Sequence, residues 1–187
     1  MRRPVLHPLS QFAPHIPRRH EADGHAKGRR QMPGTHIAQL NIGRFRYPTD
    51  DPRMRGFMDN LDRVNAIADR SEGFVWRLKD DSNNATAIRP ASDPTMAVNL
   101  SVWKSVEALE QFVWATVHKQ FYSRRGEWFE PQAAAHFVMW PVEEGHIPDL
   151  DEAIRRLDHL HAHGDSDFAF GWSWLPRIKL WMSRKCG

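Results

Sequence analysis

Three segments of the chain alternate apolar and polar residues with a period of two. In His36–Ile42, Ala38, Leu40 and Ile42 alternate with Gln39 and Asn41. In Met96–Trp103, Met96, Val98, Leu100 and Val102 alternate with Asn99, Ser101 and Trp103. In Phe74–Leu78, Arg77 is the polar member. Successive side chains on a strand point to opposite faces, so this pattern predicts a sheet with one apolar face and one face of amides, hydroxyls and Trp. "AHFVMWPV" at 135–142 reads as a fourth strand and "FAFGWSW" at 168–174 as a fifth, with a short strand also expected at Ala85–Ile88.

Between the strands the period changes to that of a helix. Phe57, Leu61, Val64 and Ala68 form an amphipathic stripe over about Pro52–Arg70, with Asp50 and Asp51 at the end where the helix dipole favours acids. Ser105 caps a second helix running to Phe121, with Leu109, Val113 and Val117 as its buried stripe, and it continues or restarts through "YSRRGEWF". Asp149 and Glu152 have capping-box spacing at the start of a third helix, which Gly164 stops after His163. The order β-α-β-β-α-β, then α-β, predicts an α+β fold: a ferredoxin-like sandwich with a C-terminal helix-strand extension. Helices are expected on the apolar face only. The polar face, with Asn41, Asn99, Ser101 and Trp103, is then left open for a second copy, and two such faces would enclose a lined cavity.

Charge divides the chain unevenly. Of a formal net charge of +3 over 187 residues, positions 1–35 hold seven Lys/Arg against Glu21 and Asp23, which leaves the remainder at −2. The folded part therefore offers no net field for nucleic acid. Residues 1–35, rich in Pro, His and Arg and without periodicity, read as a disordered basic extension, with Met32 a candidate true start. Residues 36–175 are the domain and 176–187 a tail. The single cysteine, Cys186, allows no intrachain disulfide and fits a cytoplasmic protein. No apolar run reaches membrane-spanning length, so no membrane partner is expected.

The segments "HIAQLNIGRFRYPTDDPRMRGFMDNLDRVNAIADRSEGFVWRL", "NLSVWKSVEALEQFVW", "HKQFYSRRGEWF" and "GHIPDLDEAIRRLDHLHAHG" resemble, in order, a bacterial family known as a domain of unknown function. That family lies in the dimeric α/β-barrel superfamily, which includes the antibiotic-biosynthesis monooxygenases. The resemblance implies a ferredoxin-like fold, a homodimer and a small-molecule site. "LSVWKSVEAL…H" is also similar to the strand–turn–helix segment of haem-degrading members, in which a His on the helix ligates iron. His118 holds the matching position, about one helical turn closer to the Trp.

The chemical candidates each carry a plainer alternative. His118, on a stripe with Trp114, Phe121 and Arg125, suits a general base or an iron ligand; otherwise it is a buried, hydrogen-bonded His. Asn41, Asn99 and Ser101 suit groups that orient a carbonyl or stabilise an enolate; otherwise they fix strand register. Arg77 suits a carboxylate clamp or a structural ion pair. Trp103 and Trp114 suit the wall of a flat ligand; otherwise the eight tryptophans of the chain serve packing alone. Arg124 and Arg125 beside Trp128 suit an anionic pocket or a solvated helix face. His159 and His163 share a helix face, but no partner completes a metal set. No phosphate loop, G-x-S-x-G or H-E-x-x-H is present. The expectation is a monooxygenase-like small-molecule enzyme, working either without a cofactor or with haem held by His118, with His118, Asn41 and Asn99 catalytic. The alternatives are a non-catalytic binder of haem or an apolar ligand, and a structural dimerisation module.

Overall fold

The computed structural model describes residues 34–175, except 91, 92, 94, 117, 132 and 133. The tail assignments at 1–33 and 176–187, Met32 and Cys186 lie outside the described residues. Eight elements follow in order: β1 (Thr35–Arg44), α1 (Arg55–Asp69), β2 (Phe74–Arg77), β3 (Met96–Trp103), α2 (Val106–Ala115), α3 (His118–Arg124), β4 (Phe137–Glu143) and α4 (Leu150–His163). The strands form one antiparallel sheet in the order β2-β3-β1-β4. Each helical crossover thus returns two places along the sheet, with one antiparallel strand between, which is the ferredoxin-like arrangement.

Helix ends follow their sequence signals. Asp51 accepts from the backbone N–H of Arg53 at 2.9 Å, starting a 3-10 turn at Pro52–Met54 that leads into α1. Its carboxyl pKa falls to about 2, chiefly through the Arg53 side chain and then the Arg53 backbone N–H. Ser105 accepts from the N–H of Ala108, and Asp149 accepts from that of Glu152 at 2.6 Å. Gly164, at φ 73°, ends α4 by donating to the Leu160 carbonyl. Gly73, at φ 78°, has no room for a side chain: a Cβ there would lie 2.6 Å from Cβ of Ala108.

Both faces of the sheet are covered, which corrects the expectation of one open face. Ala38, Leu40, Val98, Leu100, Val102, Val138 and Trp140 form the apolar face, and Ala153, Leu157 and Leu160 of α4 pack on it. The opposite face lies beneath α1 and α2. Its strands alternate as read, but the face is apolar at one end and polar in the middle. Ile37, opposite Trp103, joins Phe74 and Met139 as the footing for Ala68, Leu109, Phe112 and Val113. The next rows pair Gln39 with Ser101 and Asn41 with Asn99. The two helices rest on the apolar end and stand off the amides.

Three local expectations are also corrected. The fifth strand is a single bridge: Phe170 exchanges both backbone hydrogen bonds with Met139 at 2.7 and 2.9 Å, and Trp172–Trp174 turns away as a 3-10 helix. Ala85–Ile88 is a turn, with the Ile88 N–H donating to the Ala85 carbonyl. The second helix breaks after Ala115, where Thr116 adopts extended geometry (φ −112°, ψ −177°). Its hydroxyl donates to the Phe112 carbonyl at 2.5 Å and accepts from the His118 N–H at 3.2 Å, closing α2 and capping α3.

Candidate functional site

A cavity of about 910 Å³ lies between the polar middle of the sheet and α1, α2 and α3. Its described walls come from one chain, and α1 and α2 cover the face expected to stand open to a second copy. The cause is the mixed composition of that face: apolar residues at one end seat the helices, and amides at the other hold no apolar side chain against them.

The floor is a connected hydrogen-bond network. The Trp103 indole N–H donates to Oγ of Ser101 at 2.9 Å. Gln39 Nε2 donates to the same Oγ at 2.8 Å and to Oδ1 of Asn99 at 3.0 Å. Gln39, Ser101 and Trp103 are buried, whereas Asn99 stands open to the cavity. With Oδ1 engaged, the Asn99 amide keeps its N–H donors for a further partner, at the cavity border and in register with Asn41 on the neighbouring strand. The floor thus offers hydrogen-bonding amides within apolar walls and, among the described residues, carries no acid.

The walls are aromatic. Trp103 stacks on Phe112 with ring centroids 5.1 Å apart and meets the edge of Phe74. Trp114 meets Tyr122, and Phe137 stacks on Trp172 at 5.1 Å. Phe121 stacks on Trp128 at 6.0 Å, and Phe129 lies so close to β1 that a Cβ on Gly43 would sit 2.6 Å from it. This explains a glycine in the first strand.

His118 lies at the start of α3, its ring 5.0 Å from that of Phe112. Burial lowers its pKa from the ordinary 6.5, while the Val113 carbonyl works in the opposite direction. Its Nδ1 is buried without a hydrogen-bond partner among the described residues. The ring is therefore held neutral beside an aromatic wall, able to accept a proton.

The cavity gathers His118, Asn41, Asn99, Ser101, Trp103 and Trp114, as the sequence grouped them. Arg77 also borders it, but its guanidinium is directed elsewhere. Nε and Nη2 donate to the Asp69 carboxylate at 2.8 and 3.1 Å, and Nη1 and Nη2 to the carbonyl and side chain of Asn83. The β2–β3 ladder slips between Phe74 and Trp76, so Phe74 and Arg77 share a face that strict alternation would have denied them. Arg124 pairs with Glu127 and stands out of the cavity, whereas Arg125 borders it. His159 and His163 lie together on α4, with Nε2 of His159 3.2 Å from Oγ of Ser166.

Sequence reasoning missed Gln39 as the hub of the floor, although its place in the alternation marked it. It also missed Tyr122, His136 and Trp172, which belong to irregular segments where no period identifies a facing side chain.

Fold and site together define a ferredoxin-like α+β protein with an aromatic-walled, amide-floored cavity inside one chain. The chain belongs to the family described as domain of unknown function DUF3291, whose model matches residues 36–182. No curated protein matches it. Among solved structures it is similar to a conserved protein from Methanosarcina mazei Go1, at 12% identity over 59% of this chain and 94% of that one, with a TM-score of 0.42. It is also similar to a single-residue mutant of SnoaB, a cofactor-independent oxygenase from Streptomyces nogalater. There the identity is 12%, over 60% of this chain and 95% of that one, with a TM-score of 0.40. A protein of unknown function from Nitrosomonas europaea matches at 10% identity, over 62% and 94%, with a TM-score of 0.38. Among the described residues no helix is long and apolar enough to cross a membrane.

Proposed function

We propose that this chain is a monooxygenase-like small-molecule enzyme that takes a planar, mostly apolar substrate with an ionisable C–H or O–H group. The observation that carries this reading is the placement of His118, partly buried and with its pKa lowered by desolvation, on the same aromatic cavity as the Asn99 amide. In this reading His118 removes the substrate proton. Asn99 and Asn41 donate to the oxygen on which negative charge develops, in a setting where few waters compete. The resulting carbanion is electron-rich enough to reduce molecular oxygen. One oxygen atom enters the substrate as C=O and the other leaves as water, with the two hydrogens of the oxidised CH₂. Trp103 and Trp114 wall the ring system.

A second reading is a binder of haem or of an apolar ligand without turnover. It draws support from the unpartnered Nδ1 of His118, since an iron ligand would be a ring nitrogen of that residue against the same aromatic walls. The homodimer that the sequence resemblance implies is proposed to form outside the cavity, because neither face of the sheet is bare among the described residues.

Oxygen uptake with a dihydroxyanthrone as probe tests the enzymatic reading. It should fall about 10²-fold or more in His118→Gln and in Asn99→Ala, with folding retained. Uptake equal to buffer in the wild type would remove the oxygenase reading. A Soret shift on adding hemin, lost in His118→Ala, would then favour the binder.

A further inference from the structure

Two arginines border the cavity, and they differ in their partners. Arg77 gives its guanidinium to Asp69 and Asn83. Arg125, exposed at the turn after α3, has no acidic partner among the described residues. Its Nη1 donates to the Tyr122 carbonyl at 3.0 Å, and the guanidinium lies over the Tyr122 ring at 4.3 Å from the centroid. Stacking and one hydrogen bond fix the plane of the group, and Nε and Nη2 have no partner among the described residues. The neighbouring Arg124, by contrast, is closed by two bonds to Glu127, at 2.9 and 2.8 Å.

His136, half-buried in the segment leading into β4, borders the same cavity. Burial lowers its pKa first, the Arg125 charge lowers it further, and the Ala134 carbonyl raises it. The charge of Arg125 thus reaches the imidazole. Among the described residues the one carboxylate on the cavity's border is that of Glu130, which stands 3.6 Å from Nε of Arg44. A cation held flat at the edge of an aromatic cavity, beside a second protonatable ring and with no paired carboxylate among the described residues, is placed to receive an anion.

We infer that the ligand of this cavity carries a carboxylate on its planar apolar body, received at the cavity edge by Arg125 with His136 beside it. This rests on the proposed reading of the cavity as the site for a planar substrate, and it adds the charge and orientation of that substrate. The acid lies at the Arg125 edge, so the rest of the molecule reaches inward to Asn99 and His118. A single flat guanidinium with two free donor positions matches a carboxylate; a phosphate dianion would call for more donors than are present.

Titration calorimetry with 2-naphthoate and with its neutral isostere 2-naphthamide tests this. In the wild type the acid should bind about fivefold more tightly than the amide, a ratio expected for one partly solvated ion pair. In Arg125→Gln that ratio should fall to about one while amide affinity holds; Arg125→Lys should restore part of it. Equal binding of acid and amide by the wild type, or a ratio that survives Arg125→Gln, overturns the inference and leaves the aromatic site standing. Binding of neither probe overturns both the inference and the reading it rests on.

Discussion

Among the described residues the buried polar side chains are Gln39, Arg77 and Ser101, and all three border the cavity. A buried polar group without a partner is costly, so each needs a reason to be there. Ser101 has two, because it accepts from both Gln39 and Trp103. Ser101→Ala leaves a fully buried indole N–H without an acceptor, so it should lower stability by about 1–3 kcal/mol in urea denaturation. A loss near zero would mean that the floor is not a coupled network. His118 gives a prediction in pH. Its folded pKa lies below 6.5, so the unfolded chain takes up the proton first as pH falls. Stability should therefore decline as pH drops from about 6.5 towards the folded value. The urea midpoint should fall less steeply between pH 7 and 5 in His118→Gln than in the wild type. Parallel slopes would contradict a ring whose pKa is lowered by desolvation. At this scale the sequence was informative wherever a residue lay in regular alternation: Asn41, Asn99 and Ser101 could be grouped because strands have a fixed period. Arg77 was assigned to the right region, but a ladder slip and a distant turn residue, Asn83, decided its partners, and neither has a local signature.

At the scale of elements, the break between α2 and α3 matters most for the site. The apolar spacing through Val117 reads as one helix, and a single β-branched residue overrides it. Thr116 can bond its own preceding turn while its oxygen caps the next helix, and both bonds form. His118 then starts a new helix instead of continuing the stripe of Trp114. Thr116→Ala should cost about 1 kcal/mol of stability through the lost cap. It should also move His118, read as a changed imidazole shift in NMR and a lower rate of oxygen uptake. An unchanged His118 signal would show that packing on Phe112 alone holds the ring. Asp165 does similar work at the far wall: it accepts from the Gly171 N–H at 2.7 Å and from the Ser173 hydroxyl at 3.3 Å, setting the turn that carries Trp172. Caps and stops at Asp51, Ser105, Asp149 and Gly164 were readable because each acts within a few residues.

At the scale of the whole molecule, strand order and helix order were readable from the succession of periods, but the use of each face was not. Alternation separates two faces without saying which one the crossovers cover. The deciding fact is that the amide-bearing face begins with Ile37, Trp103, Phe74 and Met139, so α1 and α2 have an apolar seat on it and bridge over Gln39 and Asn99. The α4 helix then covers the all-apolar face. The result is a cavity walled by the described residues of one chain, with Asn41 and Asn99 on its floor, His118 at one side and, at the edge, Arg125 without an acidic partner among the described residues.

A crystal structure of the protein grown with 2-naphthoate measures this directly. The account predicts the ring system between the sheet and α2–α3, against Trp103 and above Asn99, with α1 and α2 standing clear of the amides. Helices closed down onto Gln39 and Asn99, leaving no room for a ligand, would contradict it.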